Sequence, residues 1–187
     1  MTPPYRKGMG VLLCDKVLQG YFCPPPRKQQ SRNDKKYSIL EIKVTIGLKQ
    51  GSVVTEIGPG GLLHCLLSTV AIHLESGNWG SKFPLIMGKF YQGSLPASDG
   101  DAAFLEMHEI KRGLESLTPD KVVWDIEDLT KDPPWGRSYG PHVKSMADYY
   151  ITTTRRNLVN EILDNLESLK EFGGTLDIIS YNGVPPL

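Results

Sequence analysis

At 187 residues, 40% hydrophobic and 22% charged, the chain is long enough for one packed core and too apolar for wholesale disorder. Its zero net charge is unevenly spread: residues 1–37 carry eight basic against two acidic side chains (+6), whereas residues 38–187 carry thirteen against nineteen (−6), a field that repels nucleic acid and attracts basic protein surfaces. Cys14, Cys23 and Cys65 have no metal-ligand spacing and pair into no disulfide framework, and no apolar run approaches the roughly 18–20 residues that span a bilayer, so a reducing, cytoplasmic protein without export signal or membrane anchor is expected.

Residues 1–37, with Pro3-Pro4, Pro24-Pro25-Pro26 and the polar run Arg27 to Lys36, read as a basic, Pro-rich and poorly ordered tail. One short element is possible around Val11, Leu12, Leu13, Val17 and Leu18. The basic run suits either a nucleic-acid or membrane contact, or, in a structural subunit, an RNA or acidic-partner contact, or else a solvated leader or upstream extension, and the last reading is preferred because short basic clusters are common.

A single domain is expected over residues 38–187. From Tyr37, Leu40, Ile42, Val44 and Ile46 alternate with Glu41, Lys43 and Thr45, the period of a half-buried strand. Gly47 to Gly51 supplies a hairpin turn, Val53 to Ile57 returns as the antiparallel partner, and Gly58-Pro59-Gly60-Gly61 ends the sheet segment. That glycine run lacks the Lys-Ser/Thr of a phosphate loop.

Leu62, Leu63, Leu66, Leu67, Val70, Ala71 and Leu74 recur at helical spacing and predict a central helix over residues 61–75, closed by Gly77. His64 and Ser68, one turn apart, have the types of a base and a nucleophile. A helix serine is rarely an exposed nucleophile, however, and no acid is placed to orient the histidine. The turn Asn78 to Pro84 leads to a second helix near residues 84–92, Gly93 to Gly100 is a loop, and Ser98 or Asp99 caps a third helix carrying Ala103, Phe104, Met107, Ile110, Leu114 and Leu117. Its Glu106, Glu109, Lys111, Arg112 and Glu115 read as solvated pairs.

Val122 to Ile126 is β-branched and aromatic and predicts a strand, followed by a long loop from Asp128 to Gly140. Tyr149 to Thr152 predicts another strand, Leu158 to Phe172 an amphipathic helix closed by Gly173-Gly174, and Leu176 to Ser180 the last strand. The resulting order points to an α+β fold: a mixed or antiparallel sheet of about five strands packed against three to four helices.

Asp125, Glu127 and Asp128 form the densest carboxylate group. On a strand, residues 125 and 127 share a face at about 6.6–7 Å, close enough to hold a divalent cation or act as an acid and base pair. A metal-dependent hydrolase using Asp125 and Glu127, and Asp128 with them, is therefore one reading, although neither a histidine nor a third acid stands at diagnostic spacing. Binding a partner, or plain solvation, are the others. Trp79 and Trp135 lie in Pro/Gly-rich loops, where each can pin its loop or protrude as a binding anchor, and Trp124 reads as core.

Three blocks carry a resemblance to a known family: Leu74 to Pro84, then Val122 to Asp128 with Pro133-Pro134-Trp135-Gly136, then Tyr149 to Thr152 leading into the last helix. From Leu62 to Ile179, about 120 residues, the chain resembles the immunity proteins of bacterial polymorphic toxin systems, in the family numbered seventy. The resemblance implies a small cytoplasmic protein, made beside a toxin gene, that silences the cognate toxin domain by binding it, with no catalytic residues, metal or cofactor of its own. The −6 body agrees, because it would steer onto a basic toxin such as a nuclease. The partner-binding candidates are Asp125, Glu127, Asp128, Trp135 and Trp79.

Overall fold

The computed structural model describes residues 45–183, so the tail expected over residues 1–37 and the strand expected to start within residues 38–44 lie outside the described residues. β1 (Thr45–Gln50) and β2 (Val53–Pro59) form an antiparallel hairpin. The turn is Gly51-Ser52, not Gly47 to Gly51. Gly47 marks a bulge instead: the register shifts between Ile46 and Gly47, and a Cβ there would lie 2.8 Å from Val54 Cγ1.

The chain passes from Pro59 directly into α1 (Gly60–Leu74), which is buried on nearly every side from Leu62 to Ala71 and forms the central helix. Gly77, at φ +79°, closes it by donating its N–H to the Ala71 carbonyl. The expected second helix is a π-helical segment, Leu85–Phe90. Its first N–H groups, from Leu85 and Ile86, are capped by the Glu106 carboxylate at 3.0 and 2.9 Å. Glu106 is thus drawn out of the solvated row predicted for its helix, by a partner that helical spacing cannot reveal.

The segment Gly93 to Gly100, expected as a loop, contains β3 (Ser94–Pro96) and a 3-10 turn (Ala97–Asp99). With a single buried apolar residue, Leu95, such a short strand shows no period. α2 (Gly100–Glu115) runs beside α4 (Leu158–Phe172), and β4 (Thr175–Ser180) inserts between β1 and β3. The sheet is antiparallel throughout, with four strands in the order β2-β1-β4-β3, and the helices complete the expected α+β architecture. The core joins Leu48, Leu95 and Leu176 of the sheet to α1, Met107 and Ile110 of α2, and Ile162 and Leu166 of α4.

Two predicted strands are absent. After a 3-10 turn (Pro119–Lys121), residues 122–126 lie as irregular chain along α1, because its side chains take the backbone hydrogen bonds a strand ladder would use. Thr69 Oγ1 accepts from Val123 N–H at 3.0 Å, and Ser68 Oγ from Ile126 N–H at 3.3 Å. Tyr149 to Thr152 is likewise no strand. α3 (Met146–Tyr149) opens with a Ser145/Asp148 capping box, and Ile151 makes only an isolated bridge to Asn157.

Candidate functional site

The site is built where the irregular chain leaves α1. Tyr150 donates its hydroxyl to Thr69 Oγ1 at 2.7 Å, and that oxygen holds Val123, so residues 122–124 are fixed from the core outward. Trp124 then lies across Gly61, where a Cβ would come within 2.6 Å of the indole, which makes glycine the residue that lets the ring settle on the helix. Trp124 belongs to the partly buried margin of the core.

From Asp125 the chain turns. The Asp125 carboxylate accepts from Glu127 N–H at 2.9 Å through Oδ1 and meets Lys131 Nζ at 2.6 Å through Oδ2. Asp128 accepts from the Thr130 hydroxyl at 2.6 Å and stands 4.0 Å from the same ammonium. Asp125 and Glu127 therefore do not share a strand face: Asp125 is turned in, with 17% of its side chain exposed, and Glu127 is turned out to solvent. Among the described residues no three His, Cys, Asp or Glu side chains are gathered to hold a metal.

His64 reaches this turn from α1. Its Nε2 is 3.7 Å from Asp125 Oδ1 and 3.3 Å from Ser68 Oγ, and its Nδ1 is 2.9 Å from the Tyr91 hydroxyl. An acid thus does stand beside this histidine, contrary to the sequence reading. A nucleophile relay needs the acid on one ring nitrogen and the serine on the other. Here both crowd Nε2, and Ser68 is fully buried with its oxygen accepting from Ile126 N–H. His64, then Lys131 and the Glu127 N–H, outweigh burial and hold the Asp125 carboxyl well below the usual carboxylate range; Asp125 in turn raises Lys131. At neutral pH Asp125 is an anion that ties the turn to the helix.

Trp135 stands edge-on to Trp124, with centroids 5.2 Å apart and planes at 88°, and donates its indole N–H to the Tyr149 hydroxyl at 2.9 Å. Held on both sides, it still exposes 42% of its surface, and Leu129 and Tyr139 on the same loop expose 62% and 46%. A depression of about 250 Å³ lies alongside, between Ile72 and His73 of α1 and Leu129, Lys131 and Arg137 of the loop.

Trp79 belongs to a different wall. Its N–H donates to the Met87 carbonyl at 2.7 Å, and its ring lies 5.1 Å from Tyr91 and 6.2 Å from His64. It pins the loop after α1 and touches the acidic turn only through His64. That loop is organised by the buried Glu75, whose carboxylate accepts from the N–H groups of Gly80, Lys82 and Phe83 at 2.7, 2.9 and 2.9 Å. Glu75, Tyr91 and Lys131 went unremarked in the sequence. Only Lys131, three residues after Asp128, had a local signal.

A family model described as Immunity protein 70 matches residues 48–178. No curated protein and no solved structure matches the chain.

Proposed function

Since the chain belongs to the immunity protein 70 family, we propose that it binds a cognate toxin domain, encoded by a neighbouring gene, and neutralises it in the cytoplasm by covering its working surface. No catalysis, metal or cofactor is needed for inhibition by occupancy. The contact surface in this reading is the turn and loop 125–136.

The observation that carries the reading is Trp135: an indole fixed by two neighbours yet open to solvent, flanked by exposed Leu129 and Tyr139. A rigid aromatic anchor loses little conformational entropy on binding, and such side chains dominate protein interfaces. The Glu127 carboxylate makes no hydrogen bond or ion pair among the described residues, so its charge is available to a partner. Asp128 joins it at the rim, whereas Asp125 and Trp79 act from behind by fixing the turn and its backing wall. The −6 charge over residues 38–187 favours a toxin with a basic face, such as a nuclease that grips phosphates, and disfavours nucleic acid as a direct ligand.

Stopped-flow association of the chain with the toxin domain tests this. The rate constant is expected to fall by about tenfold or more as ionic strength rises from 0.01 to about 0.5 M, since charge steering is screened. A rate indifferent to salt would remove the charge argument, and absence of any complex would remove the reading itself.

A further inference from the structure

Arg155 is one of two described residues other than glycine with a positive φ; at +62° it occupies the left-handed region, which Gly or Asn holds with less strain. The turn that imposes this conformation is fixed from inside and from outside. Within it, Thr152 N–H donates to the Arg156 carbonyl at 2.8 Å, Arg155 N–H to the Thr152 carbonyl at 3.0 Å, and Arg156 N–H to Thr152 Oγ1 at 3.0 Å. Thr152 itself is buried. Outside it, Thr153 N–H donates to the Ile57 carbonyl at 3.2 Å and Thr153 Oγ1 to the Glu56 carboxylate at 2.8 Å, fastening the turn to β2.

The two arginines at the tip are used differently. Arg156 pairs with the buried carboxylate of Glu161. The Arg155 side chain is exposed and makes no hydrogen bond, ion pair or ring contact among the described residues. The hydrogen bonds of the turn hold the backbone in this conformation, but no contact inside the described fold uses the long side chain. Ile151, bridged to Asn157 at the base of the turn, leaves 41% of its surface open.

From this geometry we propose that Arg155 is a specificity anchor that takes a carboxylate of the toxin domain in its guanidinium fork, with Ile151 covering the apolar flank. The proposal rests on the toxin-binding reading and adds a second contact outside the 125–136 loop. A guanidinium carried on a fixed backbone binds a carboxylate through two parallel hydrogen bonds, and a cation on a predominantly acidic surface fixes the orientation in which a charged partner can dock.

The test uses Arg155→Gly and Arg155→Ala in the full chain, measuring Tm and the Kd for the toxin domain encoded by the neighbouring gene. Arg155→Gly is expected to hold Tm at or above that of the parent, because glycine relieves the strain, while Kd rises at least about tenfold. Arg155→Ala, which keeps the strain, is expected to show the same loss of affinity. A lower Tm for Arg155→Gly would make Arg155 a structural residue and overturn the proposal, as would a Kd within about twofold of the parent. Failure of the parent chain to bind would bring down the underlying reading instead, an outcome recognisable because it needs no variant.

Discussion

The indole of Trp135 meets that of Trp124 edge to face, 5.2 Å between centroids and at 88°, and this contact couples the exposed loop to the central helix, since Trp124 rests on Gly61. The loop is thereby presented as a shaped surface. Trp135→Ala is expected to cost about 1–2 kcal/mol of stability, from the lost ring contact and the lost hydrogen bond to the Tyr149 hydroxyl. Its effect on toxin affinity should be larger, at about 2 kcal/mol or more. Chemical denaturation and calorimetric titration of the same variant compare the two.

Gly61→Ala addresses the other end of that coupling. A methyl group within 2.6 Å of Trp124 must displace the ring, because real Cβ contacts are not that short. A loss of about 2 kcal/mol is expected, together with a shifted Trp124 indole N–H resonance in two-dimensional NMR. An unshifted resonance would mean that Trp124 does not rest there.

Asp125 gives the fold a dependence on pH. Its carboxyl is held below its unfolded value, so its contribution to stability is complete above about pH 4, the unfolded carboxylate range, and disappears as pH falls below it. Asp125→Asn should therefore flatten part of the acid limb of the stability curve below about pH 4 while lowering stability at neutral pH. Denaturant titrations at a series of pH values check both arms. An acid limb of unchanged slope would show that the carboxyl is not held down by His64 and Lys131.

Glu75→Ala removes one carboxylate and leaves the N–H groups of Gly80, Lys82 and Phe83 without their acceptor. About 3 kcal/mol is expected, for one buried and two part-buried donors deprived of a charged partner. Hydrogen exchange should quicken at those three amides before it does elsewhere.

Long periodic segments were readable from the sequence: α1, α2 and α4 follow their apolar spacing, and β2 and β4 their bounding glycines, whereas the alternation before Gly47 reaches only Thr45 and Ile46 of β1, whose Gly47 to Gln50 had been expected as turn. Residues 122–126 and 149–152 were misread because β-branched and aromatic composition reports a side chain's fit to a surface, and here that surface is a helix. The hydrogen bonds from Thr69 and Ser68 that replace a strand ladder come from more than fifty residues away. The site was half legible. The carboxylates and tryptophans stood out by density and loop context, but their division into buried tie and exposed contact depends on His64, Lys131 and Tyr149, and only Lys131 is a near neighbour in sequence.

The central claim is neutralisation by binding, and growth of cells carrying the neighbouring toxin domain under an inducible promoter tests it most directly. Co-expression of the full chain is expected to restore growth, with toxin and chain recovered as one complex. Continued growth arrest with both proteins present at comparable levels would contradict the account.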